Sequence, residues 1–474
     1  MIDIIRKESL ENLLSLKFVI SFALFCTLIP LSFYVNTKWY RKQLADYSSS
    51  MSLNRVSIAA IDDLAQLANE GVAILRKPAE LAILCNGLEK FARLSVQIKA
   101  KDVPYLEGSD YLSNALSAAF GEFDLVFLVQ ILGGLVGILF AYDAISGEKE
   151  QGTLKLILAN QVPRYKVLVG KMISHYVTLL LALLPAIIIG LAVSVVYLDL
   201  QLEFWLRAAT ILVILIIYTF VFINLGFCVS SLTHRSNTSF LLGLSLWAVA
   251  VLIVPVLSSE IARWLISVPS VTEMGIRKTR IFIDVAKLTD QKVAEIAGEA
   301  MRRTQGGEPS EEATQEAEKK LTELRITMNR ERDEQIGKLM EDYMRRRVQQ
   351  FRLALLLAKV SPASTMRSAV MELSQTGPSR MEAFINQAKV YRNAFNDYIN
   401  KKSLESGPWR AFFTIEGKVV KPRIDLSDMP QFQEASSRFS NSLANALFDL
   451  LALILYNFAL SGFTFFNFLH YDAR

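Results

Sequence analysis

The strongest constraint on this chain is a set of six long, nearly uninterrupted apolar runs, at about 18–36, 123–145, 171–198, 206–232, 238–258 and 442–469. Roughly 20 apolar residues in a helix cross the ~30 Å of hydrocarbon in a bilayer. A helix in a soluble core would carry a polar stripe through such a run, and these carry almost none. The chain therefore reads as an all-α, six-helix transmembrane protein. Hydrophobic residues make up 52% of its 474 residues and charged residues only 20%. Pro30, Pro185 and Pro255 fall inside or at the ends of the runs, where membrane helices tolerate them. Gly133 and Gly137 stand at the small-xxx-small spacing that lets two helices approach closely.

Charge in the connections sets the expected orientation. Arg6, Lys7 and Lys17 precede the first span. Lys149, Lys155, Arg164, Lys166 and Lys171 crowd 146–170 and its edge, and Arg235 lies after the fourth span. The short turn after the third span has Asp199 and Glu203 but no lysine or arginine. Basic connections stay inside, so both termini are expected in the cytoplasm, and 37–122 and 259–441 outside it. Residues 1–17 have an apolar side (Ile4, Ile5, Leu10, Leu13, Leu14) and a charged one (Arg6, Lys7, Glu11, Lys17), a pattern suited to lying in the interface. No small-x-small cleavage site follows the first apolar run, so it is expected to stay as a membrane helix.

The block 259–441 reads as a large helical domain. Pro309-Ser310-Glu311-Glu312 is a helix start, and Ile336, Leu339, Met340, Tyr343, Met344, Val348 and Phe351 recur at helical spacing. A second helical pattern covers 272–303, and Gln305-Gly306-Gly307-Glu308 separates the two. The expected unit is an antiparallel helical hairpin with an arm on the order of 70 Å, either packed on itself or docking a protein partner.

Several functions are excluded or disfavoured. A net charge of +5, dispersed along the chain, does not suit nucleic acid. Of Cys26, Cys85 and Cys228 only Cys85 falls outside the spans, so no internal disulfide is expected. Met340 and Met344 lack the histidine or cysteine neighbours of a metal site. His175 and His234 fall near the cytoplasmic membrane edge without acidic neighbours in sequence. No nucleophile–base arrangement stands out. Gly170-Lys171 is not a phosphate loop, since Met172 follows and Tyr165 stands where its first glycine belongs. Asp449 begins the last apolar run. It reads either as an intramembrane acid, a default functional candidate, or as an interfacial residue preceding a span that starts at Leu450.

The segment 141–171, AYDAISGEKEQGTLKLILANQVPRYKVLVGK, is the most informative. A membrane helix ends near Asp143, breaks at Gly147 and gives way to Glu148-Lys149-Glu150. Gly152-Thr153 can turn the chain and cap a new helix. Leu154, Leu156, Ile157 and Leu158 make that helix apolar, and Pro163 stops it. Such a helix suits docking in a groove of a soluble partner or lying on lipid.

This segment resembles the signature of ABC-2 type transporter permeases. The family pattern D-x-I-x-G-E-K-E-x-G-T-L-K-L-x-L, followed by Pro-Arg and a later Gly-Lys, is matched at Asp143, Ile145, Gly147, Glu148, Lys149, Glu150, Gly152, Thr153, Leu154, Lys155, Leu156, Leu158, Pro163, Arg164, Gly170 and Lys171. The interfacial helix and the six-span order extend the resemblance. A second similarity, at 359–400 (Ser361, Pro362, Gly377, Phe384, Gln387, Tyr391), is to a bacterial subgroup with a large outer helical insertion. The resemblance implies a permease subunit in the bacterial inner membrane, working as a dimer of identical or related chains. ATP and Mg would be bound by a separate ABC ATPase, with no cofactor held by this chain. Glu148, Lys149, Glu150, Gly152, Thr153, Leu154 and Arg164 are the implied coupling residues. The expected activity is transport, leaning toward export of a lipid-like or amphipathic substrate. The alternatives are mechanical work on an outer protein partner through the helical domain, or a membrane scaffold.

Overall fold

The computed structural model describes residues 2–61, 64–91, 95–99, 123–159, 162–198, 201–303, 311–405, 413–415, 418–420, 426–435 and 437–471. Six helices are long and apolar enough to cross a membrane: Leu16–Ala59, Leu125–Glu150, Arg164–Tyr197, Leu202–Leu232, Ser236–Leu265 and Phe439–Leu469. They are numbered here as first to sixth span. The second and fourth sit at the centre of the bundle, each with 67% of its apolar window buried, against 17–28% for the first, fifth and sixth. The inner pair packs closely because the Gly133/Gly137 face meets the fourth span. A Cβ on Gly137 would lie 3.3 Å from the Ile223 amide nitrogen and the Thr219 carbonyl oxygen. The first and third spans pack together over Gly190, where a Cβ would come 2.3 Å from the Phe33 ring.

Local chemistry sets the helix ends. Ser15 caps the first span by accepting from the Phe18 amide at 3.2 Å, and Asp124 caps the second by accepting from Phe127 at 2.7 Å. Arg164 follows Pro163 directly at the start of the third. The first helix runs to Ala59, well past the expected end near 36, because 37–59 lacks helix breakers.

Beyond the bundle, the two polar blocks merge into one domain. Strands β1 (Val72–Leu75) and β2 (Ser95–Ile98) pair antiparallel, with Val72 opposite Ile98. Their inward residues Val72, Ile74, Val96 and Ile98 share a core with Phe384, Tyr391 and Phe395 of helix Pro378–Glu405. This hairpin, and a second formed by β3 (Phe413–Ile415) and β4 (Lys418–Val420), were not expected from the helical periodicity. A dry ion pair, Arg76 to Glu89 at 2.9 Å, braces the same unit. The Glu89 carboxylate also accepts from the Ala79 amide at 3.1 Å, which supplies on the acid's side part of the further hydrogen bonding a buried pair needs.

The expected hairpin arms are the helices Val271–Arg303 and Glu311–Ala358, which pack on each other. The Arg332 guanidinium lies over the Phe282 ring, and Gln350 donates to the Ile266 carbonyl. These pairings, 282 with 332 and 266 with 350, run in opposite directions along the two segments. The Gln305–Glu308 break lies outside the described residues.

The long arm does not stay outside the bundle, as the division at 259–441 implied. Its end packs beside Val254–Leu265 of the fifth span. The turn at 359–361 reaches the level of Ala250 and Tyr456, about midway along the fifth and sixth spans. Helix Pro362–Leu373 then returns between the fourth and sixth spans. A backbone irregularity explains the seat. The fifth span holds a π-turn at Val249–Ile253, so the Val254 amide bonds to Val249 and bypasses Ala250. Pro255, next in line, has no N–H to give. The stranded Ala250 carbonyl accepts from the Ser361 hydroxyl. Ser361 also caps the returning helix, accepting from Ala363 at 3.1 Å. Tyr456 donates to the Lys359 and Val360 carbonyls at 3.0 and 2.9 Å.

Candidate functional site

Most of the implied coupling residues lie on two short helices and the turn between them, at the end of the bundle that also carries the N-terminal helix, and Arg164 starts the third span. Ser146–Glu150 closes the second span and Thr153–Ala159 follows. Between them Gly152 has φ +75°, a left-handed conformation that a side chain disfavours. That turn swings the second helix away from the first.

Glu148 and Lys149 turn inward while Glu150 stays exposed, and each member grips a different part of the bundle. Glu148 pairs with Lys171 of the third span at 2.7 Å. Lys171 is 4% exposed in its side chain and also binds Glu8 of the N-terminal helix at 2.8 Å. Lys149 donates to the carbonyls of Ser231 and Thr233 at the end of the fourth span, where a cation meets the negative end of the helix dipole. Glu150 accepts from the Ser236 amide at 2.9 Å and so caps the fifth span with a carboxylate, the charge that a helix N-terminus favours. Arg164 donates to the Leu469 and Tyr471 carbonyls, both at 2.9 Å, closing the sixth span. Thr153 turns its hydroxyl to the Glu148 carbonyl at 3.4 Å. Leu154 is fully buried in the bundle core.

The face left to solvent or a partner is therefore small. Glu150, Gln151 and Gly152 are exposed, as are Lys155 and Leu156, the latter at 70%. Of the implied coupling residues, Glu150 and Gly152 are on that face. Glu148, Lys149, Leu154 and Arg164 are tied into the bundle instead, and Glu150, although exposed, is held to the Ser236 amide.

The N-terminal helix, Ile2–Leu13, belongs to this assembly. It packs along the third span, with Ile4 against Gly170 and Ser9 donating to Ser174 at 3.0 Å. Lys17 reaches Asp143 at 2.5 Å. Its expected apolar side is split: Ile4 and Ile5 turn toward Gly170, while Leu10 and Leu14 stay exposed.

Sequence reasoning missed two centres. Glu8 gave no signal, because its partner lies 163 residues away. Arg207 was passed over inside the fourth apolar run, although an arginine there is itself a signal. It is 3% exposed. It donates to Glu203 at 2.8 and 3.0 Å, to the Leu373 carbonyl at 2.9 Å, to Ser442 at 3.0 Å and to the Ser437 carbonyl at 2.7 Å. It thereby joins the starts of the fourth and sixth spans to the returning helix. Asp449 is also inside the fold, 1% exposed. His175 is buried, with Nδ1 2.8 Å from the Lys171 carbonyl oxygen.

Six apolar helices, and a charged motif that ties their ends together, define a multi-pass membrane protein of the transporter-subunit class. The chain belongs to the ABC-2 transporter family, whose model (ABC-2 family transporter protein) matches residues 2–473. It is similar to the probable ABC transporter permease protein NosY of Stutzerimonas stutzeri, 32% identical over 134 residues, covering 27% of this chain and 48% of that protein. It is also similar to the protein of the same name from Pseudomonas aeruginosa, 45% identical over 60 residues, covering 13% of this chain and 22% of that protein. The matched region thus spans about half the length of one curated relative and about a fifth of the other.

Proposed function

We propose that this chain is the membrane-spanning subunit of an ABC transporter, driven by a separate ATPase that binds ATP and Mg. The observation that carries the reading is the reach of the 146–164 segment. Its side chains hold the N-terminal helix through Lys171, and the ends of the third, fourth, fifth and sixth spans. A displacement of one short exposed helix is thereby passed to nearly the whole bundle.

The partner face is Gln151, Gly152, Lys155 and Leu156, with Leu156 as the apolar knob. Both termini and this face lie on the cytoplasmic side of a bacterial inner membrane, as the basic connections favour. A second permease chain, identical or related, completes the pathway, and the substrate is amphipathic. The chain itself performs no catalysis.

The test is co-purification with an ATPase subunit in mild detergent. Leu156→Arg is expected to abolish capture while the purified chain keeps its melting temperature. Retained capture in that variant would place the contact elsewhere.

A second reading is favoured by one observation. The Ser361 turn seats the outer helical domain midway down the fifth and sixth spans, so motion of the spans also moves the domain. Under this reading the complex does mechanical work on an outer protein partner. Deleting 272–354 would then abolish activity while leaving ATPase capture intact.

A further inference from the structure

Where the outer domain meets the bundle, a half-open cleft of about 900 Å³ is left between elements that are distant in sequence. One wall is the extension of the first helix, with Met51, Arg55 and Ile58. The opposite wall is the 426–434 segment, with Met429 and Phe432. The floor is the first turn of the fourth span, where Phe204 is 3% exposed. Clefts of roughly 300–1,000 Å³ hold drug-sized ligands.

The position and the charge balance both define what would fit. The floor residue Phe204 lies two residues into the apolar helix Leu202–Leu232, so the cleft opens where the fourth span begins. Its walls offer thioether, aromatic and aliphatic surface. Three carboxylates line it, and each is held by a cation that also lines it. Glu203 binds Arg207 at 2.8 Å, Glu434 binds Arg380 at 3.0 Å, and Glu80 binds Lys77 at 3.1 Å. The fourth cation, Arg55, has no hydrogen bond or ion pair to any described residue. Arg207 has no donor to spare, being committed to Glu203, Ser442 and two backbone carbonyls. The cleft therefore pairs an apolar body with one net positive charge at its rim.

We propose that this cleft is a binding site for an anionic amphiphile, its acyl chain against Met51, Phe204, Met429 and Phe432 and its acidic head on Arg55. A long-chain fatty acid and a lysophospholipid with a free phosphate share this chemistry. The ligand's role as cargo rests on the transport reading above; the site does not.

The experiment uses the full chain in nanodiscs of zwitterionic lipid, with no ATPase present, and a diazirine-bearing long-chain fatty acid as probe. Irradiation is expected to label peptides from 47–58 and 426–434. Excess oleate or lysophosphatidate competes, and neutral monoolein does not. Competition by oleate alone assigns a carboxylate head, and competition by lysophosphatidate alone a phosphate head. Arg55→Glu is expected to weaken competition about tenfold or more, the value of a charge-assisted hydrogen bond. Met51→Trp, which fills the cleft, is expected to remove the label without changing the melting temperature. Label confined to the lipid-facing spans, or equal competition by monoolein, would overturn the site. Labelling of the cleft without any ATP-dependent movement of the ligand in the complete complex would leave the site standing and count against transport.

Discussion

The Asp449 carboxylate, 2% exposed in its side chain, lies 2.6 Å from Lys359 Nζ. One residue belongs to the sixth span and the other to the turn that carries the long helical arm into the bundle. The acid at the head of the last apolar run is thus neither a free intramembrane group nor a simple surface residue. It anchors the returning turn. The two partners differ in what they leave behind. Lys359 is 30% exposed and its long stem lets the ammonium swing away toward a polar edge when alone, whereas the short, enclosed Asp449 cannot. Breaking a buried pair from one side costs on the order of 3 kcal/mol, because a charge is stranded. Lys359→Met should therefore lower the detergent melting temperature more than Asp449→Asn. The double variant Lys359→Met/Asp449→Leu should recover most of the loss. Equal effects of the two single variants would show that the pair is not the anchor.

Gly152 offers a test of the proposed coupling turn that packing does not confuse. A Cβ there meets nothing within 4 Å, and the only obstacle is φ +75°. Left-handed backbone costs an ordinary residue roughly 1–2 kcal/mol, and asparagine less. Gly152→Val should tilt the exposed helix and reduce stimulation of the partner ATPase, while Gly152→Asn should stay near the parent. Similar stimulation in both variants would remove the turn from the mechanism.

What the sequence made legible follows from range. Each span was visible because a run of apolar side chains is a local property, and the motif at 141–171 was visible because its residues are contiguous. The direction in which Glu148, Lys149 and Glu150 face was not legible, because it depends on Lys171, Ser231 and Ser236 being brought to them. The seat of Ser361 was hidden for a related reason. It needs a π-turn in another helix, and Pro255 by itself reads only as a kink. The short strands β1 and β2 are too brief to show a period of two against the mixed pattern around them.

Cys85 shows how burial rewrites an expectation. It lies outside the spans, as the sequence suggested, but is fully buried, with the Thr376 hydroxyl 3.8 Å from its sulfur. Burial, aided by the charge of Asp124, pushes its thiol up from 9.0 to about 12. In the unfolded chain the thiol ionises near 9, so this contribution to stability is complete below that pH. It declines above pH 9 as only the unfolded chain gives up the proton, and is fully lost by about pH 12. Maleimide at pH 7.5 should not modify Cys85 in the intact protein and should do so after denaturation. Mass spectrometry of the 77–90 peptide reads the outcome, and rapid native labelling would contradict the buried placement.

Lys171 is the residue whose loss should separate stability from coupling. It stands between Glu8 and Glu148, at 2.8 and 2.7 Å, and joins the N-terminal helix to the segment proposed to receive the ATPase. Lys171→Met leaves two carboxylates close together with no cation between them, at a cost on the order of 3 kcal/mol. Lys171→Met/Glu148→Gln removes one of those charges and should regain part of the melting temperature. It does not restore the connection between the helices, so ATP turnover by the partner should remain uncoupled from activity. Lys171→Arg keeps the charge and should retain some coupling, although its planar head suits two separate carboxylates less well than an ammonium. Coupling that returned in step with stability across these three variants would reduce Lys171 to a packing residue. Coupling that stayed low while stability recovered would place it on the path between the ATPase and the spans.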